Sequence, residues 1–151
     1  MTRTLLLLGG VLLLGLAGFF GARYLSVPEA APRIGQMLAC NLSDGPCRHA
    51  LPDGAVLTLT LTPNPVPLMQ PMHVMVTIDQ SDWRPLAGDI TGLNMTMAPN
   101  HVRLESAGLG RWEGETILPV CSRGQMHWQF SLRLEGGGRN WRILDDFHTR
   151  R

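Results

Sequence analysis

Three stretches of this chain alternate apolar and polar residues with a period of two. Residues 55–62 read Ala-Val-Leu-Thr-Leu-Thr-Leu-Thr, with Leu57, Leu59 and Leu61 on one face and threonines on the other. Residues 72–79 set Met72, Val74, Val76 and Ile78 against His73, Met75, Thr77 and Asp79. Residues 125–135 set Met126, Trp128, Phe130, Leu132 and Leu134 against His127, Gln129, Ser131 and Arg133. A strand sends successive side chains to opposite faces, so each stretch can bury one whole face only as a strand. Shorter strand candidates cover residues 86–97, 102–105, 112–118 and 140–144.

Between these segments stand clusters such as Pro63-Asn64-Pro65-Val66-Pro67 and Gly136-Gly137-Gly138. Eleven prolines at this spacing exclude long helices from the body of the chain. About seven short strands at near-regular intervals point to an all-β fold, an immunoglobulin-like antiparallel β-sandwich.

The amino end has a different character. Met1–Arg3 is a short positive start, and residues 4–22 carry no charge and are mostly Leu and Gly. That run is close to the ~20 residues needed to cross a bilayer. A secretory signal has the same outline, but Phe19, Phe20 and Glu29 occupy the places where a cleavage site needs small residues, which favours an uncleaved anchor over a cleaved one. Met37-Leu38-Ala39-Cys40 lies too far beyond the apolar run to serve as a lipobox. The expected organisation is a transmembrane anchor over 1–24, a Pro/Ala/Glu linker over 25–36 and a folded domain over 37–148. Arg3 against Arg23 and Arg33 leaves the charge rule for orientation undecided, so the side of the membrane rests on the cysteines. Cys40 and Cys47 bracket the turn-forming Asn-Leu-Ser-Asp-Gly-Pro. A disulfide across that turn would place the domain in an oxidising space. The alternative, a zinc site, would need two more ligands, and only His49 is near in sequence.

Composition narrows the chemistry. All thirteen basic residues of the 151 are arginine. The absence of lysine excludes a Schiff-base lysine, a phosphate-binding P-loop lysine and a Ser–Lys dyad. A net charge of +1 gives no basis for nucleic-acid binding. There is no Gly-x-Ser-x-Gly, His-Glu-x-x-His or Cys-x-x-Cys motif. Glu113 and Glu115 flank a glycine on a predicted strand that faces solvent, and Asp145-Asp146 falls in the tail. An enzyme is not expected.

Soft donors remain. Asn94-Met95-Thr96-Met97-Ala98-Pro99-Asn100-His101 puts two thioethers at i and i+2, which on a strand places both sulfurs on one face, and Pro99 turns the chain to bring His101 back. Further on, Cys121 and Met126 stand around a glycine-containing turn. Thiolate, thioether and imidazole together suit Cu(I), whereas a hard ion would require an oxygen cage. The competing view is structural: methionine fills cores, Met126 shares a face with Trp128 and Phe130, and Cys121 can be a small buried hydrophobe. Trp112 and Trp141 fit core or rim packing, and His73, His127 and His148 fit solvent faces.

The segments Gly92-Leu93-Asn94-Met95-Thr96-Met97, Gly110-Arg111-Trp112-Glu113-Gly114, Leu118-Pro119-Val120-Cys121 and Gly124-Gln125-Met126-His127-Trp128 resemble those of small anchored bacterial proteins of the FixH/YtkA-like kind. The resemblance covers roughly residues 55–135. It implies an immunoglobulin-type sandwich on the periplasmic side of the inner membrane, held by a single-pass anchor. It also implies copper handling or assembly of copper-containing oxidases, with a copper-acceptor protein or oxidase subunit as partner. Met95 and Met97 transfer as candidate copper ligands, while His101, Cys121 and Met126 join them from the donor chemistry above. The three cysteines, and Ala98-Pro99-Asn100 after the second methionine, depart from the pattern. The other function to weigh is a metal-free, membrane-anchored interaction module whose methionines form a contact patch.

Overall fold

The computed structural model describes residues 14–19, 32–34, 39–80 and 82–151. The chain divides into two compact units, 1–30 and 31–151. In the first, residues 14–19 are helical, and the rest of the expected anchor lies outside the described residues. No helix among the described residues is long and apolar enough to cross a membrane.

The second unit is β throughout. Its strands are β1 (Cys40–Asn41), β2 (Cys47–Ala50), β3 (Val56–Thr62), β4 (Pro71–Ile78) and β5 (Trp83–Gly92), followed by β6 (Asn100–Val102), β7 (Glu105–Gly108), β8 (Arg111–Ile117), β9 (Gln125–Gly136) and β10 (Arg139–Arg150). They form two five-stranded sheets, ordered β1-β10-β9-β5-β6 and β2-β3-β4-β8-β7. Every pairing between named strands is antiparallel except β1 with β10. One hydrophobic core draws on both sheets, as a β-sandwich requires.

The three alternating stretches occupy the centre of this arrangement. Leu57, Leu59 and Leu61 of β3, Met72, Val74, Val76 and Ile78 of β4, and Met126, Trp128, Phe130, Leu132 and Leu134 of β9 are all buried. Full burial of such side chains is worth about 1.5–3 kcal/mol each, which is why the alternation decides the fold. Trp128 satisfies its indole N–H inside the core on Thr149 Oγ1 at 2.9 Å. Trp112 and Trp141 pack half-buried against its edge.

Elsewhere the strands depart from expectation. Ten are formed among the described residues rather than about seven, because β1, β2 and β7 are too short to show a period in sequence. The strand expected over 86–97 stops at Gly92, so Met95 and Met97 lie in the following loop. The strand expected over 140–144 runs on to Arg150, since residues 143, 145, 147 and 149 keep pointing inward. Asp145 is therefore not in a tail; it occupies a core position. The expected linker contributes as well. Arg33 bridges to Arg142, Ile34 is buried, and the Ile34 N–H donates to the Arg142 carbonyl at 2.8 Å.

Candidate metal site at the methionine loops

The connections 63–70, 93–99 and 118–124 gather at one end of the domain. The Met69 N–H donates to the Leu118 carbonyl at 2.9 Å, joining the first connection to the third. Asn94 ties the second to the start of β9: its Nδ2 donates to the Gln125 carbonyl at 3.1 Å, and its Oδ1 accepts the His127 N–H at 3.2 Å. Leu93 adds a backbone bond to the His127 carbonyl at 2.8 Å. The loop bearing the methionines is thus fastened to the start of β9 although it is not a strand.

Met95 and Met97 are both half-buried and packed against the core edge. They line an open depression of roughly 620 Å³ together with Gly92, Asn94 and Arg123. Strand alternation does not align the two sulfurs, as the i, i+2 spacing suggested. The side chains that close on Gly92 are those of Met97 and Met126. A Cβ at that position would stand 3.3 Å from Met97 Sδ, 3.1 Å from Met126 Cε and 3.2 Å from the Met95 carbonyl oxygen. Met97 and Met126 therefore converge on the space that the glycine leaves free, beside the Met95 backbone.

The remaining expected ligands are placed differently. Met126 is 2% exposed and belongs to the core with Trp128, so only the end of its side chain reaches this site. Cys121 is buried, free of any disulfide, with Sγ 3.9 Å from the Pro119 carbonyl oxygen. His101 stands apart. Its neighbour Val102 faces the core, so on β6 the imidazole projects from the outer face of the sheet, where Nδ1 bonds Asp89 Oδ1 at 2.5 Å. Gly92 shares the inward face of β5 with Ile90, so Met97 and His101 lie on opposite sides of that sheet.

The charged groups behave as surface pairs. Glu113 and Glu115 are exposed, the first bonded to Arg111 at 2.6 Å and the second 3.5 Å from His73. His127 and His148 stack across β9 and β10 with ring centroids 4.4 Å apart, and His127 Nε2 lies 3.2 Å from Asp146 Oδ2. Asp53 accepts the Trp83 indole N–H at 2.6 Å, which holds its carboxyl below the usual carboxylate range.

A second cluster was not visible as a site in sequence. Cys40 and Cys47 form a disulfide, as expected from their turn. Beneath it lies Asp145, fully buried, whose Oδ2 bonds His49 Nε2 at 2.7 Å while Oδ1 accepts the Cys40 N–H at 3.2 Å. One donor atom from each of Cys40, Cys47 and Asp145 falls within 4.8 Å of the others, the single such group of His, Cys, Asp and Glu found among the described residues. The available signal was faint: Asp145 continues the inward alternation of Ile143 and Phe147 with a carboxylate where an apolar residue belongs.

No family model, curated protein or solved structure matches this chain.

Proposed function

We propose that this chain is a membrane-tethered periplasmic Cu(I)-binding protein with an immunoglobulin-like domain. In this role it serves as a chaperone or accessory factor in copper delivery or oxidase assembly, its acceptor being a copper protein or oxidase subunit. The observation that carries the proposal is the convergence of Met97 Sδ and the Met126 methyl on Gly92, beside Met95, at the rim of an open depression. Thioethers are weak, polarisable donors that hold Cu(I) and release it readily, and a rim site leaves room for an acceptor's ligands. Cys121, on the neighbouring connection, supplies the thiol donor of the proposed set. The Cys40–Cys47 disulfide supports an oxidising compartment, and the apolar run over 4–22 is the proposed single-pass anchor. His101, on the far side of the sheet, is left out of the ligand set.

The test is a Cu(I) titration of the detergent-solubilised full chain against a competing chelator, under conditions that leave the disulfide intact. Wild type is expected to bind one equivalent, and Met95→Ala/Met97→Ala to lose it while keeping its fold by circular dichroism. Undiminished binding in the double variant would overturn the assignment.

One observation favours a metal-free docking module instead. Met69, Leu93, Ile117 and Val120 expose apolar surface around the same end of the domain. An acceptor that binds the Met95/Met97 variant as tightly as wild type, without copper, would identify that role.

A further inference from the structure

A disulfide that only staples two strands does not call for a buried carboxylate beneath it. Disulfide sulfurs offer Asp145 no hydrogen bond, and a buried polar pair is often no better for stability than well-packed apolar side chains. Yet Asp145 takes a core position between Ile143 and Phe147 at 0% exposure, held by His49 on one oxygen and the Cys40 N–H on the other. Its neighbours Cys40 and Cys47 come from strands of different sheets. The three donor groups are thus fixed by three separate strands, β1, β2 and β10.

We propose that reduction of the Cys40–Cys47 disulfide turns this cluster into a binding site for a divalent ion of the zinc class, with Cys40 Sγ, Cys47 Sγ and an Asp145 oxygen as ligands. Zinc–sulfur bonds of ~2.3 Å and zinc–oxygen bonds of ~2.0–2.2 Å, arranged tetrahedrally, require donor separations of roughly 3.5–4 Å. The sulfurs and the carboxylate oxygen already lie within 4.8 Å of one another, and the two Cα atoms are 5.9 Å apart. Opening the sulfur–sulfur bond and moving the side chains by about an ångström completes the triad. Two thiolates alone would also suit Cu(I); the carboxylate selects a borderline divalent ion instead. This site is therefore distinct in chemistry from the methionine rim. His49 is a positioning residue: its bond to the second carboxylate oxygen aims the first at the metal. Three protein ligands leave a fourth position open to water or a partner's side chain.

The chemistry balances. A dithiol reductant gives two electrons and two protons to the sulfur–sulfur bond, leaving two protein thiols and a cyclic disulfide. Binding of the divalent ion then displaces both thiol protons to solvent. In reverse, a disulfide oxidant takes two electrons from the metal-bound thiolates and two protons from solvent to become a dithiol; the Cys40–Cys47 bond re-forms and the divalent ion leaves, so occupancy reports the local redox state.

The test uses the full chain in detergent, in a Cys121→Ala background that leaves Cys40 and Cys47 as the only thiols. Protein reduced with a phosphine, and oxidised protein beside it, are titrated anaerobically with Co²⁺ as a spectroscopic stand-in for Zn²⁺. Reduced protein is expected to take up one equivalent, showing thiolate-to-cobalt charge-transfer absorption and the intense visible bands of tetrahedral cobalt, all removed by added Zn²⁺. Oxidised protein is expected to show none. Asp145→Asn should weaken binding at least tenfold, and His49→Ala should do so with restoration by His49→Gln, whose amide can still donate to the carboxylate. Should Asp145→Asn fail to fold, Cys40→Ser decides, because it keeps the Asp145–His49 pair and must abolish the charge-transfer band. Reduced, folded protein that shows no tetrahedral cobalt would overturn the proposal, as would folded Asp145→Asn or Cys40→Ser protein that binds as wild type does.

Discussion

Met95 and Met97 hang from a loop that Asn94 and the Leu93 backbone fasten to β9, and they are half open to solvent. Asp145 sits mid-strand with no exposure, tied to His49 across the core and to Cys40 across 105 residues of sequence. The first region is made of weak thioether donors packed around a glycine at the rim of an open depression. The second is a buried carboxylate hydrogen-bonded on both oxygens. Side chains at the methionine rim can exchange partners at little cost to the fold, whereas any change at Asp145 is felt as stability first. A removable cargo fits the rim, and a state that must be held or switched fits the buried cluster.

The sharpest way to break this contrast is His49→Ala. It leaves a buried carboxylate without its side-chain partner, and unfolding by denaturant is expected to show a loss of about 3–5 kcal/mol. A loss no larger than that of an exposed substitution would mean that the two regions do not differ as described. Gly88→Ala follows. Its Cβ would stand 2.6 Å from the Phe130 ring, between the sheets, and overpacking of this kind costs about 1–3 kcal/mol.

Gly92→Ala sharpens the contrast from the other side. Its Cβ would meet the side chains of Met97 and Met126 at 3.3 and 3.1 Å and the Met95 carbonyl oxygen at 3.2 Å. A loss of about 1 kcal/mol in unfolding free energy is expected, less than at Gly88, because the methionine ends can yield and the Met95 carbonyl has to shift only slightly. Cu(I) affinity, measured by chelator competition, should nevertheless fall at least tenfold, since the space where the methionines meet is occupied.

The smallest effect is at the surface. The Trp83 indole lowers the Asp53 pKa, so this bond contributes stability above the ordinary carboxylate range, and the contribution is lost as pH falls through the lowered value. Asp53→Asn should therefore melt slightly below wild type at neutral pH, with the gap closing in acid. A gap that widens in acid would reverse the assigned sign.

These regions also differ in how far the sequence reveals them. The Leu57–Leu61, Met72–Ile78 and Met126–Leu134 alternations predict the central strands and nearly all of their buried residues, because period-two burial is a local property. The methionine rim is legible as a set of donors, but its geometry is not: Met97 and Met126 converge at Gly92, and Asn94 fastens the loop to β9, contacts that no strand period encodes. Asp145 is the opposite case. A carboxylate near the carboxyl end reads as solvated tail until β10 is known to continue, and its partners His49 and Cys40 lie about a hundred residues earlier. Nothing local announces a contact of that range, and the same holds for the two-residue β1, which exists only because β10 is there to receive it.

The pairing of β1 with β10 also bears on how the chain acquires its fold. The first strand of the domain docks, parallel, on the last, so the closing contact spans almost the whole body of the chain. Loop-closure entropy must be met before that contact forms, and topologies dominated by such distant pairings fold in roughly milliseconds to seconds rather than microseconds. Cys40 and Cys47, only seven residues apart, are brought together by their own turn and need no such distant contact. Closed across that turn, the disulfide joins β1 to β2 ahead of the long-range pairing, so the last strand docks on a start that is already covalently fixed.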